Sequence, residues 1–286
     1  YLVRRLLENG ANSSFVNAIV DDSRPVESLL EDPVEKTQRL KHKYNGQILK
    51  PLNLYGTERD NSKGVDLTDI NQIIPLKISL DRWIKKHLLK PDQVPQNCHA
   101  VRNPANHEEI IGFHCYDSAQ QMKTKLASAH KAFETWSQVS IKERANLLRR
   151  IADILERHMD ELIALCIKEA GKVSKDGVDE VREAVDFCRY YAAQAEMLAE
   201  DDRLAPRGVV LCISPWNFPL AIFLGQVAAA LVTGNTVIAK PAEQTSLIAI
   251  RALELMEYVG LPAGVVHIVI AQGSEVGVTL LPNELI

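Results

Sequence analysis

The chain has 286 residues, of which 33 are Lys or Arg and 37 are Asp or Glu, so its formal net charge at pH 7 is −4. This length allows two domains with a sizeable core, and the sequence has no basic tract interleaved with aromatic residues, which argues against nucleic-acid binding. It also lacks a signal peptide and any apolar run of roughly 18 residues, as a membrane-spanning helix would need. These features predict a cytoplasmic protein without a transmembrane segment.

The cysteines are far apart in the sequence, odd in number, and mostly embedded in apolar surroundings. This pattern predicts reduced core thiols in a cytosolic protein rather than a disulfide framework. No two cysteines have a metal-ligand spacing and the eight histidines are scattered, so we expect no metal site. The five cysteines are Cys98, Cys115, Cys166, Cys188 and Cys212.

An amphipathic helix is predicted at the amino terminus, with Asn9-Gly10 as its stop. Adjacent Arg4 and Arg5, with Tyr1 one turn earlier, could hold a small carboxylate through bidentate guanidinium contacts. A solvated basic face is the more common explanation of the same local pattern.

Residues 21–90 are predicted to form a helical and irregular linker. Asp32-Pro33 marks a helix start, and residues 51–76 are rich in Pro, Gly, Asn and Asp without helical periodicity. The apolar residues of this connector predict that it is ordered against its neighbours. Leu76–Lys90 has the spacing of one amphipathic helix.

Two short strands are predicted next, at Ala100–Arg102 and Ile110–Cys115, followed by helical periodicity over residues 118–200. Ser140 forms a capping box with Glu143. The block therefore predicts a helical layer that precedes the main sheet.

Within this layer, residues 140–170 are predicted as one helix ending at Gly171, and residues 179–197 as the next. Their acidic side chains could suggest paired carboxylates for acid–base chemistry. Because they mix with Arg182 and Arg189 at helical ion-pair spacings, we interpret them as structural. They are Glu169, Glu180, Glu183 and Asp186.

The stretch from Gly208 to Thr245 predicts a unit of strand, crossover helix and strand. The apolar runs Val209–Ile213 and Thr236–Ala239 are short and continuous, as in buried parallel strands, and they flank an amphipathic helix. Ligands of such sheets bind beyond the carboxyl ends of the strands. We therefore expect Ile213–Asn217 and Lys240–Glu243 to face one crevice.

Three polar side chains are predicted to converge in that crevice. The Asn217 amide can donate to a carbonyl oxygen that becomes an oxyanion, and losing such a donor costs about 3 kcal/mol. Lys240 and Glu243 can hydrogen-bond vicinal ribose hydroxyls. The alternative is that Asn217 caps the helix and the other two are solvated, but their joint placement at two strand ends favours a binding site.

Further along, a helix is predicted over Ser246–Tyr258, a strand over Val265–Ile270 and a helix over Glu275–Leu281. The segment from Gln272 to Gly277 opens the last helix, and its Gly273 and Gly277 would let backbone amides approach the adenosine or pyrophosphate of a dinucleotide. Glycines at this spacing also serve helix packing, so both interpretations stay open.

The strings Ile213–Pro219 and Lys240–Thr245 closely resemble the cofactor domain of the aldehyde dehydrogenase superfamily. The helix Tyr1–Gly10, followed by Ser14–Asn17, resembles the last barrel helix of the proline dehydrogenase domain in the bifunctional proline utilization A family. This resemblance implies a homo-oligomeric parent that acts on proline and glutamate semialdehyde with FAD and NAD.

The fold that the resemblance implies is α/β. Residues 1–20 would be a helical remnant of the barrel, residues 21–90 an inter-domain linker, and residues 91–286 the first part of a Rossmann-type NAD domain. The implied parallel sheet is flanked by helices and incomplete.

The resemblance also implies roles for individual residues. The implied NAD lies over the backbone of Ile213, Ser214, Pro215 and Trp216, and its adenosine ribose is held by Lys240 and Glu243, while Asn217 forms the oxyanion hole. At the amino terminus, Arg4 and Arg5 would hold the proline carboxylate, and Tyr1 would pack against the proline ring.

Aldehyde oxidation in this superfamily needs a Cys nucleophile and a Glu that activates the deacylating water. Neither a Gly-Gln-Arg-Cys nor a Glu-Leu-Gly-Gly segment occurs in the sequence. The chain therefore resembles an internal fragment, and we expect no dehydrogenase turnover and no complete FAD site from it alone.

Two alternatives remain. One is a non-catalytic dinucleotide-binding or assembly module, which would need no downstream Cys nucleophile. The other is an aldehyde dehydrogenase of different specificity, against which the helix that begins at Tyr1 argues.

Overall fold

The computed structural model describes residues 19–23, 25, 27, 30–42, 44–86, 89–198 and 205–286. The chain divides into two units, residues 1–50 and 51–286. In the first unit, helix α1 spans Pro33–Arg39, and the Asp32 carboxylate caps it by accepting a hydrogen bond from the Val34 N–H at 2.8 Å. The helix start predicted at Asp32-Pro33 is confirmed.

In the second unit, a helix and a two-stranded hairpin precede a block of four helices, after which strands and helices alternate. The helices are α2 (Ile70–Lys86), α3 (Ala119–Trp136), α4 (Ile141–Arg157), α5 (Met159–Ala170), α6 (Ser174–Leu198), α7 (Ala221–Val232), α8 (Ser246–Tyr258) and α9 (Gly273–Thr279). The strands are β1 (His99–Asn103), β2 (Asn106–His114), β3 (Val209–Ile213), β4 (Thr236–Lys240) and β5 (Val266–Ile268).

The strands β3, β4 and β5 form a parallel sheet in that order. Side chains of successive strand residues point to opposite faces, and β4 shows the consequence. Ile238 packs in a core with residues of α3 and α9, whereas Val237 and Ala239 pack in a core with residues of α7 and α8. The predicted α/β class, with helices on both faces of a parallel sheet, is confirmed.

The predicted capping box of α4 is present, with Ser140 and Glu143 exchanging side-chain-to-backbone hydrogen bonds. The prediction of one helix over residues 140–170 is wrong. His158, with φ −101° and ψ 18°, separates α4 from α5. The apolar period continues across this break because both helices bury their stripes in the same core, so the sequence gives no sign of it.

The strands β1 and β2 form an antiparallel hairpin in which His99 pairs with His114. Just outside this pair, Cys98 and Cys115 form a disulfide with 4.2 Å between their Cα atoms. The expectation of reduced thiols is therefore wrong for these two, because the hairpin register brings together cysteines that are 17 residues apart. The other three cysteines are free and buried, as predicted.

The connector is ordered mainly by polar contacts. Ser62 is completely buried, and its N–H and hydroxyl donate to the two oxygens of Asp186 on α6 at 2.9 and 2.8 Å. Val65 and Leu67 pack against the core, as predicted. The following helix α2 begins at Ile70 rather than Leu76, so the irregular stretch is shorter than expected.

Candidate functional site

The carboxyl ends of β3 and β4 lie side by side. The two strands are parallel and in register, so that Ile213 at the end of β3 is the partner of Lys240 at the end of β4. The Ser214 N–H donates to the Lys240 carbonyl oxygen at 3.1 Å, and the Gln226 amide on α7 donates to the Ile213 carbonyl oxygen at 3.0 Å. Because β5 is parallel to β4 and pairs with its other side, all three strands end at the same edge. We call it the carboxyl edge.

Lys240 and Glu243 form an ion pair at the carboxyl edge. The Lys240 side chain is 6% exposed, and its Nζ lies 3.2 Å from Glu243 Oε2 and donates to the Pro241 carbonyl oxygen at 3.1 Å. The solvated alternative is therefore wrong for Lys240. The Glu243 carboxylate keeps 27% exposure, so the pair presents a donor and an acceptor at the edge.

The ionisation of Glu243 reflects these contacts. Burial tends to raise the pKa of this carboxyl group, but the Glu243 N–H and the Lys240 ammonium outweigh burial and hold its pKa below the usual value. Glu243 is therefore a carboxylate near neutral pH, which makes it a hydrogen-bond acceptor only.

The loop between β3 and α7 contains Asn217. The N-cap residue of α7 is Leu220, which has no side-chain cap, so the alternative that Asn217 caps this helix is wrong. Instead, Asn217 is exposed in a bend of the loop, next to Trp216, which is 58% exposed. Earlier in the loop, the buried Ser214 hydroxyl has no hydrogen-bond partner among the described residues.

The loop after β5 leads directly into α9, whose first residue is Gly273, two residues earlier than predicted. A Cβ atom added at Gly273 or at Gly277 would meet no described heavy atom within 4 Å. The helix-packing interpretation is therefore wrong for both glycines. Their backbone borders open space at the carboxyl edge.

Two residues that sequence reasoning did not assign to the site interact electrostatically with Glu243. His114, at the end of β2, is buried with its Nδ1 2.9 Å from Ser246 Oγ, and burial is the main cause of its lowered pKa. Burial also raises the pKa of the Tyr116 phenol, and the carboxylates of Glu243 and Glu275 add to this effect. Tyr116 thus interacts electrostatically with one carboxylate after β4 and one in the first turn of α9. No local sequence signal marks either residue, because their position depends on where the hairpin packs.

The predicted proline-carboxylate residues Tyr1, Arg4 and Arg5 lie outside the described residues, so that site stays a prediction. Within the described ranges, no three His, Cys, Asp or Glu side chains are grouped so that they could hold a metal ion. None of the described helices combines the length and the apolar character needed to cross a membrane.

Comparison with known proteins identifies relatives along almost the whole chain. The bifunctional protein PutA of Salmonella typhimurium is 42% identical over 292 residues, which cover 98% of this chain and 22% of that protein. The 1-pyrroline-5-carboxylate dehydrogenase 2 of Halalkalibacterium halodurans is 41% identical over 193 residues, which cover 63% of this chain and 38% of that protein. A crystal structure of a proline utilization A variant from Bradyrhizobium japonicum matches with a TM-score of 0.79 at 36% identity, and covers 100% of this chain and 28% of that one.

These matches confirm the resemblance to proline utilization A that the sequence motifs indicate. The chain spans 22% of the length of the Salmonella relative. Residues 91–286, which contain the whole carboxyl edge, match the model of the aldehyde dehydrogenase family. The chain belongs to the aldehyde dehydrogenase family.

Proposed function

We propose that this chain is the NAD-binding part of a bifunctional proline catabolic enzyme. The parent enzyme oxidises proline to pyrroline-5-carboxylate with FAD and then oxidises glutamate semialdehyde to glutamate with NAD. The similarity to PutA and to a pyrroline-5-carboxylate dehydrogenase supports this proposal. The observation that carries it is the pairing of Ile213 with Lys240 at the carboxyl edge, with Glu243 beside Lys240.

Three features of the carboxyl edge fit a dinucleotide. The Lys240–Glu243 pair offers a donor and a carboxylate acceptor that can bind the two hydroxyls of a ribose. The buried Ser214 hydroxyl has no partner among the described residues. The open space beside Gly273 allows a phosphate to approach the N–H groups of the first turn of α9, and Gly277, one turn later, adds no side chain there.

The remaining site residues act on the nicotinamide and the substrate. When bound, NAD supplies the acceptor for the hydride. The backbone from Ile213 to Trp216 supports the dinucleotide, and the exposed Asn217 amide donates to the aldehyde oxygen as negative charge develops on it. The thiol nucleophile and the base for the deacylating water come from other parts of the parent enzyme.

The proline-oxidising half rests on the sequence alone. Arg4 and Arg5 hold the proline carboxylate, and Tyr1 packs against the ring. Measuring proline:quinone and semialdehyde:NAD activities in the parent enzyme tests both halves. We expect both activities, and the absence of both would reject the proposal.

Dinucleotide binding can be tested directly. We expect Glu243→Ala and Lys240→Met to raise the Kd of NAD by about 10- to 100-fold, the loss that corresponds to charged hydrogen bonds worth about 1.5–3 kcal/mol. The quenching of Trp216 fluorescence by NAD provides the signal, because this indole is 58% exposed at the carboxyl edge. Trp216→Phe should remove most of that signal.

A matched control is the ion pair between Lys168 and Glu109, whose side chains are 15% and 26% exposed, against 6% and 27% for Lys240 and Glu243. Lys168→Met removes a half-buried ammonium that pairs with a carboxylate of β2, outside the three-stranded sheet. We expect it to leave the Kd of NAD unchanged. Equal weakening by Lys168→Met and Lys240→Met would mean that the loss comes from general destabilisation.

A further inference from the structure

The helices α7 and α8, two of the three that follow the proposed site loops, lack side-chain caps of their own. The N-cap residue of α7 is Leu220 and that of α8 is Thr245, and neither provides a side-chain cap. The first N–H groups of a helix have no partner within the helix, and they need one when they are buried. In both helices the partner is a buried glutamate from earlier in the chain.

Glu180 on α6 holds the start of α7. Its side chain is 1% exposed, and its Oε2 accepts hydrogen bonds from the Leu220 N–H at 3.2 Å and the Ala221 N–H at 3.0 Å. Its other oxygen lies 3.0 Å from the Lys172 ammonium. The Lys172 ammonium also lies 4.8 Å from the centre of the Phe218 ring, within the loop that contains Asn217.

Glu169 in the last turn of α5 holds the start of α8. It is 5% exposed, and its two oxygens accept separate hydrogen bonds from the Leu247 N–H at 2.7 Å and the Ile248 N–H at 3.0 Å. The 3₁₀ turn Glu243–Thr245, which carries the ribose-binding carboxylate of the proposed site, directly precedes α8.

Glu169 and Glu180 therefore connect the turn between α5 and α6 to two of the site loops. The turn between α5 and α6 contains Gly171, with φ 67°, and Lys172. Through Glu180 this turn determines where the Asn217 loop meets α7, and through Glu169 it determines where the Glu243 turn meets α8. Buried polar groups are costly unless they are hydrogen-bonded, so displacing either helix end would leave buried carboxyl oxygens without their N–H donors.

We propose that Glu169 and Glu180 are positioning residues of the dinucleotide site, each holding the amino end of the helix that follows one site loop. The inference rests on the proposed function, because it assigns these residues to the binding of NAD. Neither glutamate touches the cofactor in this proposal.

The experiment measures the Kd of NAD by isothermal titration for Glu169→Ala and Glu180→Ala. The temperature is one at which circular dichroism shows each variant to be folded. We expect the Kd to rise at least about tenfold in each variant, since a displacement of about 1 Å in a binding or catalytic group has effects of this size or larger. Adenosine monophosphate is a second probe. Its Kd should rise in Glu169→Ala, which disturbs the ribose site, and stay within about twofold in Glu180→Ala.

The matched control is Glu161→Ala. Glu161 is also on α5 and 5% exposed, and it contacts α8 through Arg251 at 2.8 Å, but it does not bind the amino end of that helix. Its removal should lower stability without changing the Kd of NAD. If the glutamate variants bind NAD as tightly as Glu161→Ala does, the two residues only stabilise the fold and the inference is wrong.

Glutamine variants test the same inference if the alanine variants do not fold. At pH 9, Glu180→Gln still offers one oxygen to both of its N–H donors, so NAD affinity should be largely restored. Glu169→Gln places an amide NH₂ against one of two N–H donors, so affinity should stay low. The reverse order would contradict the proposal. If the unmodified protein itself does not bind NAD, the proposed function fails first and the inference with it.

Discussion

At the scale of single residues, the least expected feature is a carboxyl group placed deep in the helical layer. Burial raises the pKa of Glu169 to about 8, although the N–H groups of Leu247 and Ile248 act in the opposite direction. Its ordinary value is 4.5, so the folded protein holds a proton that the unfolded chain releases.

This difference predicts how stability changes with pH. Between pH 4.5 and about 8 the folded state binds more protons at Glu169 than the unfolded state does. The stabilising effect of this group is therefore complete below pH 4.5 and is lost as the pH rises through the folded pKa. In Glu169→Gln the effect is absent.

We therefore expect the wild type to lose free energy of unfolding relative to Glu169→Gln as the pH rises through this window. The change should be up to about 1.4 kcal/mol for each pH unit. Urea unfolding of both proteins at pH 5, 6.5 and 8 measures it. A difference that is constant over this range would show that Glu169 has the same pKa in the folded and unfolded states.

At the scale of secondary-structure elements, local signals predicted the sheet well. Residues 209–213 form β3 as expected, residues 246–258 form α8 as expected, and the other elements around the carboxyl edge are within about three residues of their predicted bounds. Short apolar runs and glycine stops are local patterns, and in this layer the tertiary structure agrees with them.

Contacts between distant residues could not be predicted from such patterns. The interpretation of Glu169 and Glu180 as structural is correct, but the spacing of the arginines does not reveal their partners. Glu169 accepts from a backbone N–H 78 residues away, and Glu180 accepts from one 40 residues away in addition to its ion pair with Lys172. The electrostatic interaction of His114 and Tyr116 with Glu243 depends in the same way on how the hairpin packs. The residues that could touch a cofactor directly were therefore easier to find in the sequence than the residues that hold them in place.

The hairpin disulfide predicts selective thiol chemistry. Cys115 is exposed and Cys98 is half-buried, whereas burial raises the pKa of Cys188 to about 12 and that of Cys212 to about 11. In the folded protein, a dithiol reductant followed by an alkylating agent should therefore label only the hairpin pair. Peptide mass spectrometry identifies the labelled cysteines.

Reduction should also lower the free energy of unfolding, by up to about 3 kcal/mol for a loop of this length. The double variant Cys98→Ser and Cys115→Ser should unfold like the reduced wild type and should not respond to the reductant. Labelling of the three buried cysteines at the same rate as the hairpin pair would contradict this assignment.

At the scale of the second unit as a whole, the helical layer and the sheet are tied to the connector that precedes them. The main tie is the pair of hydrogen bonds from Ser62 to Asp186, supported by a hydrogen bond from the Lys63 N–H to Glu156 at 2.9 Å. Ser62 is completely buried, so removing its acceptor would leave two buried donors unpaired, at a cost of about 1–3 kcal/mol each.

Asp186→Ala should therefore release the connector before the rest of the unit unfolds. We expect trypsin to cleave after Arg59 and Lys63 faster in this variant than in the wild type, under conditions in which the far-ultraviolet circular dichroism is unchanged. Asp179→Ala is the control, since Asp179 is on the same helix but its one ion pair among the described residues is an exposed pair with Lys175. Equal cleavage rates in the two variants would show that the packing of apolar connector residues, rather than the Ser62 hydrogen bonds, holds this segment in place.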